Sequence, residues 1–191
     1  MSHLRHATQG EVSLRNTQPF VRELGGRMHL FAHNGHLPGI EGRLAGQWGR
    51  FRPIGSTDSE IAFCVLLERL IPLWAGSEPT LSGRLAVVAH LAEQLRELGP
   101  ANFLYSDGEL LFAHGHRRIQ RDGSTGSPGL HLLNRECAVD RGALAAAGVL
   151  LGDPQSVALV ASVPLTLEAW RPFGEGEIVV VRGGAVVATA L

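Results

Sequence analysis

The hydrophobic period of this chain changes at Gly99-Pro100, and that change limits the fold more than any other feature. Ahead of it lie two helical stretches. Residues 57–75 are apolar nearly all round, with Ile61, Val65, Leu66 and Trp74 spread over every face, as in a buried helix. Residues 81–98 carry Leu81, Leu85, Val88, Leu91 and Leu95 at steps of three and four, with Arg84, Glu93, Gln94 and Arg96 mostly on the opposite face. Behind the change the pattern is strand-like. Residues 102–106 and 109–114 flank Asp107-Gly108, a strong hairpin signal in which Asp107 reads as a turn residue. Residues 130–133, 157–163 and 177–182 read as strands, the last two buried, and Gly183-Gly184 turns the final one into residues 185–191. Two helices beside many hairpin-linked strands predict an α+β domain built on antiparallel sheet.

The rest of the chain is less regular. Residues 3–7 alternate as a short strand does, residues 11–26 are polar and read as a loop, and residues 28–32 read as a buried strand ending at Asn34-Gly35. Residues 37–54 are expected to be irregular, anchored by Trp48 and Phe51, and residues 118–128 to form an exposed loop. With 191 residues and no internal repeat or long linker, residues 1–191 are read as one domain. The balance of 17 Lys+Arg against 18 Asp+Glu argues against a nucleic-acid partner. No apolar run approaches the roughly 18 residues that span a bilayer, and no secretory leader is visible, so a cytoplasmic protein without a membrane partner is expected. Cys64 and Cys137 make no redox or metal spacing and are read as reduced. His114 with His116, and His33 near His36, lack a companion carboxylate or Cys at metal-ligand spacing; they read as surface residues, and neither metal nor cofactor is expected.

Two short blocks carry the chemistry. Asn34-Gly35 ends a strand, and Ser56, Thr57 or Asp58 can cap the first long helix, with Glu60 close enough to complete a capping box. Together with Arg5-His6-Ala7-Thr8-Gln9-Gly10, Asn16-Thr17-Gln18-Pro19-Phe20 and the later blocks at residues 102–108 and 161–166, they resemble the class II glutamine amidotransferases. These are N-terminal-nucleophile hydrolases, and the likeness is greatest to the compact YafJ type and to the γ-glutamyl amidohydrolase of ergothioneine synthesis. The resemblance implies a four-layer αββα sandwich of antiparallel sheets. It also implies hydrolysis of the side-chain amide of glutamine, or of a γ-glutamyl compound, through a thioester. By the same resemblance Arg5 and Thr8 bind the substrate carboxylate, Asn34 and Gly35 form the oxyanion hole, and Asp58 receives the substrate ammonium. Read without it, Arg5 is a surface Arg, Asn34-Gly35 a hairpin turn and Asp58 a helix N-cap.

Members of that family begin with a Cys after the initiator Met, and a sizeable segment precedes the Arg block. This sequence opens almost on that block, so it is expected to be an N-terminally truncated domain whose catalytic Cys is absent. Ser2 lies too close to Arg5 in sequence to replace that residue, and neither Cys64 nor Cys137 has an α-amino group as its base. Two alternatives remain: a binding module for γ-glutamyl or amino-acid ligands that does no chemistry, and a non-catalytic subunit that takes its missing strands from a partner. The implied partners are a small-molecule substrate and either a second copy of the chain or an ammonia acceptor.

Overall fold

In the computed structural model, residues 1–3, 12–44, 46–76, 78–137 and 155–191 are described. Gly25 and Gly26, at φ +62° and +79°, supply the two left-handed positions of a tight turn between β1 (Phe20–Leu24) and β2 (Arg27–Gly35). β1 corrects the expectation of a loop over residues 11–26. Its charged centre disguises it: Phe20 and Leu24 point into the core, while Arg22 pairs with the buried Glu60. A short 3-10 turn, Leu14–Asn16, precedes it. The strand expected over residues 3–7 lies almost wholly outside the described residues.

After α1 (Ile40–Arg43), a short helix in the stretch expected to be irregular, come α2 (Asp58–Trp74) and α3 (Leu81–Leu98), both within a residue of the expected bounds. Then follow β3 (Ala101–Ser106), β4 (Leu111–His114), β5 (Arg118–Ile119), β6 (Thr125–Gly126), β7 (His131–Cys137), β8 (Gln155–Ala161), β9 (Arg171–Pro172), β10 (Ile178–Arg182) and β11 (Ala185–Ala190). The expected hairpin at Asp107-Gly108 joins β3 to β4, with Gly108 at φ +89°. The loop at 118–128 carries the two-stranded β5–β6 ladder.

β1-β2-β3-β4-β10-β11 form one antiparallel sheet, and β8-β7-β9 a second. The period-two alternation of the strands decides what each face meets. Phe103, Tyr105, Ile178 and Val180 point to α2 and α3, where Phe31 stacks on Phe63 with ring centroids 5.4 Å apart. Leu104, Val179 and Val181 point the other way, onto Leu130, Leu132 and Val160 of the second sheet region. The described residues therefore make three layers, helix on sheet on sheet, and this is an α+β fold of antiparallel sheets. β8 is half-buried where full burial was expected: Ala158 and Val160 pack only partly on the second core, and residues 158–161 also line a cavity. Among the described residues no helix is long and apolar enough to cross a membrane.

Four polar residues lie deeper than their types suggest. Arg84 is 2 % exposed, against its expected position on the polar face of α3, because Asp107 and Glu109 at the β3–β4 turn reach its guanidinium at 2.8 and 2.9 Å. Asp107 is still the turn residue, accepting the Leu110 N–H at 2.8 Å, and also carries this buried ion pair. His114 and His116 are buried, not surface residues; His114 Nδ1 is 2.6 Å from Ala101 O, and desolvation lowers its pKa to about 3.

The irregular stretch over residues 46–55 takes its shape from α2. Glu68 accepts the backbone N–H groups of Gly49 and Phe51 at 2.9 and 2.5 Å, and Glu60 accepts those of Ile54 and Gly55 at 3.1 and 2.7 Å. Only half of the expected capping box forms. Thr57 Oγ1 accepts the Glu60 N–H at 3.3 Å, but the Glu60 carboxylate turns outward to the loop and Arg22.

Candidate active site

β2 ends where its backbone comes against Pro100. A Cβ on Gly35 would lie 1.7 Å from Pro100 O, so this position is glycine for want of space, not because of a left-handed backbone. Asn34 and Gly35 are the last residues of β2, paired with Asn102 and Ala101 of β3; they are not a hairpin turn. Behind them the buried Asn102 amide donates to Asn34 O at 3.0 Å and to Arg117 O at 2.6 Å, while its carbonyl accepts the His116 N–H at 2.7 Å. The strand end is thereby held from inside, and the Asn34 side chain is left exposed toward a cavity. One of its amide donors meets Ser162 Oγ at 3.0 Å.

Asp58 enters the same cavity from α2. Thr57 is the N-cap, which puts Asp58 in the first helical turn, where the helix dipole favours a negative charge. Its Oδ2 accepts the Leu37 N–H at 2.8 Å and its Oδ1 the Ser59 N–H at 2.8 Å. The His36 ring lies 3.4 Å from Oδ2. Burial works to raise the Asp58 pKa, but the Leu37 N–H, the nearby His33 and the Ser59 N–H outweigh it. The carboxylate is held below its ordinary range and is an anion at neutral pH.

The cavity, about 1390 Å³, thus brings together Asn34, Gly35 and Asp58, three of the five site residues expected from the sequence. Arg5 and Thr8, the other two, lie outside the described residues. Ser2 also lines the cavity. Cys64 sits inside α2, fully buried, and its thiol is pushed up to about 12 by burial, which leaves it no thiolate to attack with. Among the described residues no group of three or more His, Cys, Asp or Glu is arranged to hold a metal ion.

Three further residues border the cavity that the sequence did not single out: Gln18, Ser59 and Ser162. His33, in the block at residues 32–35, joins them. Gln18 and Ser162 fall within the recognised blocks at residues 16–20 and 161–166, so position in those blocks was the available signal. Ser59 falls within the block at residues 55–60 and shares that signal, although a Ser in a first helical turn is by itself ordinary.

The arrangement is a fixed anion facing a strand end that carries an exposed amide, suited to a substrate with an ammonium group at one end and a carbonyl at the other. The family model for class II glutamine amidotransferases matches residues 1–191. The chain is 43 % identical to the Escherichia coli protein YafJ, named as a candidate glutamine amidotransferase, over 60 % of this chain and 44 % of that protein. It is 32 % identical to a similarly named Haemophilus influenzae protein over 100 % of this chain and 62 % of that one. The crystal structure of a predicted glutamine amidotransferase from Pseudomonas aeruginosa superimposes with TM-score 0.67 at 34 % identity, covering 92 % of this chain and 66 % of that one. The chain therefore spans 44 to 62 % of the length of these two curated relatives. Sequence family and fold together assign this chain to the class II glutamine amidotransferases.

Proposed function

We propose that this chain carries the substrate-binding and oxyanion-stabilising part of an amidohydrolase site for glutamine or a γ-glutamyl amide. The observation that carries the reading is Asp58. It is a carboxylate kept anionic by backbone donors, in one cavity with the Asn34 amide and Gly35. Asp58 accepts the substrate ammonium, and Arg5, with Thr8 beside it, grips the α-carboxylate as a planar fork. The Asn34 amide and the Gly35 N–H meet the charge that develops on the side-chain carbonyl oxygen.

The nucleophile in this reading is an N-terminal cysteine encoded upstream of residue 1. Its thiolate adds to the amide carbon, and the free α-amino group carries the thiol proton to the leaving nitrogen. The C–N bond breaks to release ammonia or an amine, and water then hydrolyses the γ-glutamyl thioester to glutamate. The ammonia passes to an acceptor or to solvent, and no cofactor takes part.

The test is glutamate release from glutamine and from a panel of γ-glutamyl amides. It compares this chain with a version extended upstream to the nearest in-frame Met-Cys. Turnover by the extended form alone is expected. Turnover by the short form would turn attention to Ser2, and ligand binding with no turnover by either would favour a binding module.

A further inference from the structure

Gln18, His33 and Ser59 form a closed ring of hydrogen bonds that the roles above do not use. The His33 N–H donates to Gln18 Oε1 at 2.6 Å, the Gln18 amide nitrogen reaches Ser59 Oγ at 3.4 Å, and Ser59 Oγ lies 3.0 Å from His33 Nδ1. The three residues are 8, 2 and 4 % exposed, so water does not compete for these bonds.

The direction of each bond follows from the chemistry of its atoms. Pro100 O, 3.2 Å from His33 Nε2, can only accept, so Nε2 carries the ring proton. Desolvation lowers the His33 pKa to about 4, which keeps the ring neutral and leaves Nδ1 bare. Ser59 must then donate its hydroxyl proton to Nδ1, not to Asp58 Oδ1 at 3.2 Å, and its oxygen is free to accept from Gln18. Asp58 Oδ1 keeps the Ser59 backbone N–H.

Ser59 follows Asp58 on α2, and His33 precedes Asn34 on β2. The Ser59–His33 hydrogen bond therefore links the two halves of the site beside the Leu37–Asp58 bond, and Gln18 locks it from the loop before β1. We propose that Ser59, His33 and Gln18 are positioning residues that set the distance from Asp58 to the Asn34-Gly35 pair, and with it the selection of glutamine over asparagine. The inference rests on the roles given to Asp58 and Asn34 in the proposed function. A substrate bridging the two groups must have the right number of methylenes between its ammonium and its amide, and the ring fixes that number.

The test uses the upstream-extended form proposed above. Nitrogen-detected NMR of His-labelled protein is expected to show His33 in the Nε2-protonated tautomer at neutral pH; the Nδ1-protonated tautomer would overturn the ring. Ser59→Ala is expected to raise the KM for glutamine about tenfold while kcat changes less than about threefold, and to reduce the preference for glutamine over asparagine by about tenfold. Ser59→Thr, which keeps the hydroxyl, should restore both. Should the Ala variant fail to fold, Ser59→Cys, close in volume and a weaker donor, makes the same comparison. An active parent with unchanged KM and preference in the Ser59 variants overturns the positioning role alone. An extended form inactive on every γ-glutamyl amide overturns the proposed function and the positioning role with it.

Discussion

The Leu37 N–H donates to Asp58 Oδ2 at 2.8 Å, so the carboxylate of α2 is fastened to the chain two residues beyond Gly35. An Asn at this position keeps an acceptor for that N–H, but turns its NH2 donors toward the Ser59 N–H and offers a substrate ammonium no charge. Asp58→Asn is accordingly expected to weaken glutamine binding by roughly 30- to 100-fold, the worth of a charge-assisted hydrogen bond, and to cost about 1 to 2 kcal/mol of stability through the unpaired Ser59 N–H. Isothermal calorimetry on the upstream-extended form checks it; unchanged affinity would remove Asp58 from the site.

Asn34 makes the complementary case. Its carbonyl and backbone are secured by Asn102 and by β3, so truncating the side chain removes a donor without loosening the strand. Asn34→Ala should lower kcat by about 100- to 1000-fold with KM nearly unchanged, as loss of one oxyanion donor does. A variant that loses KM instead would make Asn34 a binding group.

Gly35→Ala tests packing. The new methyl would have to displace Pro100 O, which is backbone and sits only 1.7 Å from the Cβ position. Overpacking against backbone costs upward of about 3 kcal/mol, so the melting temperature should fall by about 10 °C. Differential scanning calorimetry reads this without any substrate.

Acid should destabilise the fold in a defined window. His33, with its pKa lowered from 6.5 to about 4 by burial, stays neutral in the native state while the unfolded chain takes up a proton below pH 6.5. Stability is therefore fully present above pH 6.5, is lost as the pH falls toward 4, and levels off below that. His33 alone removes on the order of 3 kcal/mol over this range. His114, with a pKa near 3, adds a loss of the same sign that continues to lower pH. Urea unfolding of the parent and of His33→Asn at pH 7 and 4.5 separates the contributions, and the variant should show the shallower pH dependence.

The pair Arg84–Asp107 is buried at both ends, 2 and 0 % exposed. Arg84→Met strands the Asp107 carboxylate and should cost about 3 to 5 kcal/mol, whereas Arg84→Met with Asp107→Asn should recover most of that loss. Chemical denaturation of the single and double variants gives the comparison; equal losses would mean that the charge pair does not carry the effect.

How much of this was legible depended on whether a residue's partner lay nearby in sequence. α3 was read to its ends because its apolar steps and Gly99-Pro100 are local signals, and the β3–β4 hairpin was read from Asp107-Gly108 alone. β1 was missed because Arg22, which spoils its apolar alternation, is satisfied by Glu60, 38 residues away. Arg84 was misjudged for the same reason, its acids lying across the β3–β4 turn. In the cavity, Asn34, Gly35 and Asp58 were legible because they sit in recognisable blocks. His33 and Ser59 lie in the same blocks, but their pairing is not legible there, since a buried His bonded to a Ser 26 residues away leaves no pattern in either segment.

Glu60 and Glu68 stand eight residues apart on α2, about 12 Å along its axis, and between them they hold the backbone of a loop that has no regular structure of its own. The helix thus acts as a template on which the loop is laid, fixed at two stations. Residues inserted between Phe51 and Ile54 would bulge outward between those stations while the approach to Asp58 kept its course. The loop's length can therefore vary between related chains, and with it whatever the loop contacts outside the domain, while the binding geometry beneath stays unaltered.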